Sequence, residues 1–166
     1  MTKHILVTYA TRAGSTGEIA EIIGKSIAAR GFVVDVKPVL EKPALEGYDG
    51  VVIGSAVRMG QWLPEAVEYL KANQAALQKM PAAIFTVHIL NLADDQTSQA
   101  YREGYIAPLK PLIQPVDTAF FGGKMDSKRL KFADRLIGKL VKAVDSDNRN
   151  WERIRGWGRG VADKME

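Results

Sequence analysis

The spacing of apolar positions switches repeatedly along the chain between a strand-like and a helix-like rhythm. Short apolar runs of strand length occupy residues 3–9, 32–36, 50–54, 81–87 and 116–121. Between and after them lie segments at 16–29, 64–77, 97–109 and 151–164 whose apolar residues recur at helical spacing. In the first, Ile19, Ile22, Ile23 and Ile27 share a face, and Gly31 follows as a C-cap. Ala66, Val67, Leu70 and Leu77 line the second helix, and Ile154, Trp157, Gly158 and Val161 the last. Pro38 ends the second strand. The run GVVIG at 50–54 is apolar on both faces, as a central parallel strand should be. Strands alternating with helices predict an α/β fold: one domain over residues 1–166, a doubly wound, mostly parallel sheet of five strands. No repeat, low-complexity tract or linker divides it.

Composition narrows the chemistry. The 166 residues are 46% hydrophobic and 25% charged, ordinary for a globular domain able to bury a core without staples. There is no cysteine, which excludes disulfides, thiolate catalysis and cysteine-held metal or iron–sulfur centres. The two histidines, His4 and His88, make a poor metal cluster, so no metal is expected. No stretch approaches the roughly 20 apolar residues of a membrane span. Residues 1–3 run directly into a strand rather than a signal peptide, so the expected location is the cytoplasm, at most peripheral on the membrane face.

The first strand leads into TYATRAGST, residues 8–16, and then into a helix. A turn at such a junction presents backbone N–H groups and the positive end of a helix dipole, which suits a phosphate. Thr8, Thr11, Ser15 and Thr16 add hydroxyls, and Gly14 lets the backbone come close. An ordinary turn with Thr16 as N-cap is the plainer alternative. A Walker loop is excluded, because Gly24-Lys25-Ser26 lies seven positions after Gly17 and inside a helical pattern. A dinucleotide fingerprint is excluded too, since Gly156, Gly158 and Gly160 follow no strand. What remains suits a single phosphate without magnesium or lysine.

In doubly wound folds ligands bind beyond the carboxyl ends of the strands. Two further loops end there. Ser55, Ala56, Val57, Arg58, Met59, Gly60, Gln61 and Trp62 follow the third strand, and Val87 leads into His88, Ile89, Leu90, Asn91 and Leu92 after the fourth. Large apolar groups in these loops (Met59, Trp62, Ile89 and Leu90) would wall a flat ring beside the phosphate cup. Flavin mononucleotide, FMN, has that shape. The alternatives are that Trp62 packs the start of the next helix and that His88 is a structural hydrogen-bonding residue.

Thr11-x-x-Gly14-x-Thr16 after the first strand resembles the phosphate loop of flavodoxins, and NWERIRGWGRGVADKM resembles their closing helix. Within that superfamily, YDGVVIGSAVRMGQW and MPAAIFTVHILNLA are similar to blocks of the menaquinone-dependent protoporphyrinogen dehydrogenase group, and Gln99-Ala100-Tyr101-Arg102 falls at its polar, tyrosine-containing helix start. The basic stretch KMDSKRLKFADRLIGKLVKAV is likewise a mark of that group. Met59 stands where the group has an aromatic residue. The resemblance spans the chain and implies a flavodoxin-like fold of strand order 2-1-3-4-5. It further implies an FMN-dependent oxidoreductase that oxidises a porphyrinogen in haem synthesis with a quinone as acceptor. Thr11, Arg12, Ala13, Gly14, Ser15 and Thr16 would hold the phosphate. Ser55, Ala56, Val57, Arg58, Met59 and Gly60 would pass beside the flavin, Trp62 or Met59 would stack on it, and Val87, His88, Ile89 and Leu90 would border its pyrimidine end. No side chain is assigned as general acid or base, and Arg58 would face an anionic substrate or the flavin.

Charge bears on the choice. The net charge is +4, yet residues 1–123 carry 11 Lys/Arg against 12 Asp/Glu, and residues 145–166 carry five of each. Residues 124–144 hold seven against two. Read as a helix, 127–144 puts Leu130, Ala133, Leu136, Ile137, Leu140, Val141 and Val144 on one face, opposite Lys128, Lys131, Arg135, Lys139 and Lys142. A basic amphipathic insert over 124–149 fits an anionic membrane surface or an anionic porphyrin; packing of its apolar face on the domain is the alternative. No aromatic-and-basic interleaving accompanies it, so nucleic acid is not an expected partner. A receiver domain is excluded by Thr8-Tyr9 and Gly54-Ser55 where acids are needed, and an α/β-hydrolase by the lack of a GxSxG elbow. An electron-carrying flavodoxin and a non-catalytic flavodoxin-like module remain as alternatives.

Overall fold

Strands β1 (His4–Ala10), β3 (Gly50–Arg58) and β5 (Ala82–His88) form the centre of a parallel sheet, with β2 (Val33–Pro38) and β6 (Asp117–Gly122) at its edges. The computed structural model describes residues 2–125 and 146–166. The central strands are apolar on both faces because helices cover both. Leu6, Val51, Ile53 and Ile84 pack on one side with Leu63, Ala66 and Leu70 of the following helix. Ile5, Val7, Val52 and Phe85 pack on the other with Ile19, Ile23, Ile154 and Val161.

The order β2-β1-β3-β5-β6 is the expected one once a short strand, β4 (Gln61–Trp62), is set aside. That strand is an addition. β3 was expected to stop at residue 54 but continues to Arg58, pairing on one side with β1 (Ala10 with Ser55) and on the other with β5 (Ala56 with Val87). It then turns back into β4, which it pairs antiparallel.

The helices follow the pattern with local adjustments. α1 (Ser15–Ala28) starts one residue early, and its chain leaves through Gly31 at φ 97 rather than capping there. The single helix expected over 64–77 breaks into α2 (Pro64–Ala72) and α3 (Gln74–Leu77). At the break, the Asn73 backbone N–H and side-chain amide both donate to the Tyr69 carbonyl, at 3.1 and 2.9 Å. α4 (Gln96–Ile106) is capped by Asp95, which accepts from the Ser98 N–H at 2.7 Å, and tightens into a 3-10 turn at Ala107–Leu109. The closing helix α5 (Trp151–Lys164) has the expected bounds, with Asn150 as N-cap.

After β6, the short strands β7 (Lys124–Met125) and β8 (Ser146–Asp147) pair antiparallel. The basic helix expected over 127–144 falls between them and lies outside the described residues.

Candidate functional site

Strand order reverses between β1 and β3, and the loops beyond their carboxyl ends open the crevice where such folds take ligands. The turn after β1 is held by its own side chain. Thr11 Oγ1 accepts the Gly14 N–H at 2.9 Å, and Gly14 takes a left-handed conformation (φ 92, ψ −14) as the N-cap of α1. The N-cap is therefore Gly14 and not Thr16, so Thr16 falls inside the first turn. The Thr11 hydroxyl keeps its proton to donate, and the first-turn amides of α1 have no partner within the helix. Ser15 and Thr16 are buried with the turn.

Two hydroxyls here lack partners. Thr8 Oγ1 in β1 and Thr16 Oγ1 in α1 are buried without a hydrogen bond among the described residues. A buried donor left unmade is costly, so the Thr16 hydroxyl in the first turn of a helix marks a place for an anion, whereas Thr8, on the same strand face as Leu6 and Ala10, lies on the other side of the sheet. Ala13 is half-buried in the turn. Arg12 does not extend its guanidinium into the cup. It holds Glu65 of α2, one of the two bonds being 3.1 Å long, and so braces the turn against the next helix. Gly123, after β6, closes the other flank: its N–H donates to the His88 carbonyl at 2.9 Å, and an added Cβ would come within 2.8 Å of Val87 and 3.6 Å of Ser15 Oγ.

The second loop proves to be a hairpin. Val57 pairs with Trp62 and Arg58 with Gln61, leaving Met59 and Gly60 as a two-residue turn with φ of 55 and 76. Both central residues at positive φ define a type I′ turn. The turn lifts Met59 out, and its side chain is 79% exposed. Trp62, offered with Met59 as the stacking residue, is only 3% exposed, and its indole N–H donates to Thr86 Oγ1 at 2.9 Å. It packs under the hairpin with the core at the start of α2. Ser55 is fully buried too, donating to the Ala56 carbonyl and accepting the Leu63 N–H. Ala56 and Val57 are half-buried along the hairpin's inner side, and Arg58 is half-buried at its end.

The third loop is rigid for a polar reason. His88 is 3% exposed and its Nδ1 lies 2.7 Å from the Leu90 carbonyl, which can only accept, so Nδ1 carries the proton. Tyr105 and Phe120 flank the ring. Burial pushes the His88 pKa down; Arg102 and Arg153 add to this and the Leu90 bond opposes it. The chain then turns at Asn91, at φ 61, whose amide donates to Tyr105. Arg102 donates to the carbonyls of Asn91 and Ala93. This clamp, which the sequence did not reveal, leaves Leu90 and Leu92 exposed and Ile89 half-exposed on the same edge as Met59, while Val87 stays in the core.

The site is thus an anion cup between β1 and α1, flanked by a raised methionine and an apolar loop. A flavodoxin-domain model matches residues 6–151, and the chain belongs to that family. Among curated proteins it is similar to protoporphyrinogen IX dehydrogenase [quinone] of Escherichia coli K12, with 27% identity over 95% of this chain and 93% of the relative. A relative of the same name from Leishmania major is 26% identical over 84% of this chain, which spans 62% of that longer protein. Among solved structures, a flavodoxin from the domain Archaea matches with a TM-score of 0.61, covering 98% of both chains at 15% identity, a likeness of fold alone. A flavin is the cofactor this family implies. The partnerless Thr16 hydroxyl and the apolar rim fit a phosphate-bearing flavin. Among the described residues no group of acids and histidines is placed to hold a metal.

Proposed function

We propose that the protein is an FMN-dependent oxidoreductase that converts protoporphyrinogen IX to protoporphyrin IX and passes the electrons to a quinone. The observation that carries the cofactor is the buried, partnerless hydroxyl of Thr16 in the first turn of α1, with Met59 and Leu90 exposed on the loops after β3 and β5. The near full-length likeness to relatives named for that reaction supports the substrate.

In this reading the backbone of Thr11, Arg12, Ala13 and Gly14 with the hydroxyls of Ser15 and Thr16 holds the phosphate. Met59 covers the ring from the hairpin side, Ile89 and Leu90 border it, and Trp62 supports the hairpin from below. Arg58 lies at the same edge to meet an anionic substrate. Bound FMN supplies the redox chemistry, accepting electrons from the porphyrinogen. The chain's own work is to bind, orient and shield. His88, with its proton on Nδ1 toward Leu90, fixes the loop that borders the ring, and no side chain is assigned a proton-transfer step.

The visible spectrum of the purified protein, followed by an anaerobic assay with porphyrinogen and a menaquinone analogue, tests both halves. Flavin bands and a rise in porphyrin fluorescence are expected. Colourless protein without affinity for FMN would sink the cofactor assignment and leave a non-catalytic module. Yellow protein that leaves porphyrinogen unchanged but reduces a partner redox protein would replace the enzyme with an electron carrier.

A further inference from the structure

On the flank of the cup opposite Arg12 lies a second arginine, buried and more heavily engaged. Arg149 precedes α5, and its side chain is only 7% exposed. Its guanidinium lies alongside Asp147 of β8, with Nε to Oδ1 and Nη2 to Oδ2 both 2.9 Å. Its remaining terminal nitrogen bonds Glu18, and the Trp151 ring lies 4.6 Å beneath it. Lys124 stands opposite Asp147 in the β7–β8 ladder, so two cations face two carboxylates. The Asp147 carboxyl is held down to about 2, chiefly by the Arg149 hydrogen bond.

The position of Glu18 gives this cluster its meaning. Glu18 lies in the first turn of α1, and its N–H donates to the Gly14 carbonyl. It therefore stands within about one helical pitch, ~5 Å, of the amides that form the cup. A phosphate monoester carries nearly two negative charges at neutral pH. A carboxylate so near repels it, while a carboxylate fastened to a buried guanidinium repels it far less. A surface cation would do this weakly because salt and water screen it. Arg149 is anchored by Asp147 and seated on Trp151 with its side chain largely covered, so its charge stays beside Glu18, whose own side chain is 45% exposed.

We propose that Arg149 is a positioning residue for the phosphate-bearing cofactor: it neutralises Glu18 at the head of α1 so that the cup accepts a dianion. This rests on the assignment of a phosphate-bearing flavin to the cup. Arg149 touches neither the substrate nor the ring in this account; it acts through Glu18.

The test compares FMN with riboflavin, which has the same ring and no phosphate, by quenching of flavin fluorescence on protein stripped of flavin. Arg149→Gln is expected to weaken FMN about tenfold and to leave riboflavin nearly unchanged. Adding Glu18→Gln to that variant restores most of the FMN affinity, and raising the salt narrows the gap. Arg149→Lys keeps the charge without the fork and is expected to bind FMN close to the wild type even where Arg149→Gln folds poorly. Equal losses for both flavins, or no recovery with Glu18→Gln, would overturn the inference and leave Arg149 as a structural anchor. Wild-type protein with no preference for FMN over riboflavin would remove the phosphate from the cup, and this inference with it.

Discussion

Met59 shows at one residue how stability and binding pull apart. A non-glycine residue at φ 55 carries steric strain, and a methionine there has no polar side chain to offset it. Asparagine tolerates this conformation, and Asn-Gly is the favoured pair for a type I′ turn. Met59→Asn is therefore expected to raise stability by about 0.5–1 kcal/mol in urea unfolding while weakening FMN, measured by fluorescence titration. Stronger FMN binding in that variant would remove Met59 from the ring contact. His88 offers a pH-dependent counterpart. Its folded-state pKa lies below the ordinary 6.5, so the unfolded chain takes up the proton first as pH falls. The wild type should lose stability below that value relative to His88→Asn, whose amide still donates to Leu90. Parallel pH profiles of the unfolding midpoint would contradict this. The site was legible at the residue scale where chemistry is local, as in the hydroxyls of TYATRAGST. It was not legible for Trp62, because a tryptophan beside a turn reads alike whether it faces a ligand or the core. The Arg149–Glu18 bond joins residues 131 positions apart, a separation no local pattern reports.

Element by element, periodicity identified all five parallel strands and the buried faces of α1, α2 and α5. What it missed were interruptions decided by a single residue. The hairpin β3–β4 carried no Asn-Gly or Gly-Gly signal because methionine occupies the first turn position. The break between α2 and α3 falls at Asn73, whose backbone leaves the helical region at φ −113 and ψ 16. Helix packing supplies a sharper case. Gly158 of α5 meets α1 so closely that an added Cβ would fall 2.7 Å from the Ser26 Cβ and 3.2 Å from the Ile23 carbonyl oxygen. One turn of the helix thus holds glycines of opposite meaning, since a Cβ on Gly160 meets nothing within 4 Å. Gly160→Ala should stabilise by up to ~1 kcal/mol through helix propensity. Gly158→Ala makes the same local gain but should destabilise by about 1–3 kcal/mol overall, because backbone and a Cβ cannot move aside as a flexible side-chain end would. Thermal unfolding of the pair checks this, and equal midpoints would mean that α1 and α5 part more easily than their packing implies.

At the scale of the whole molecule the charge is lopsided. Outside residues 124–144 acids slightly outnumber bases, and that one stretch carries the entire surplus. Most of it lies outside the described residues, between β7 and β8. β7 and β8 pair beside Gly123, whose carbonyl accepts the Asn148 N–H at 3.0 Å, so the basic stretch leaves and rejoins the domain at the flank of the cup. The proposed quinone acceptor resides in a membrane, and no described helix is long and apolar enough to cross one. Peripheral contact through 127–144 is the arrangement we propose. An anionic leaflet contributes about 1 kcal/mol for each lysine or arginine near it, so reversing Lys131, Arg135 and Lys139 to glutamate removes several kcal/mol of attraction. The wild type should float with vesicles containing anionic lipid, stay behind with neutral ones, and release at high salt. The reversed variant should remain at the bottom of the gradient while still binding FMN. If it floats as well as the wild type, the basic stretch is not the anchor and the apolar rim of Met59, Leu90 and Leu92 becomes the surface to test.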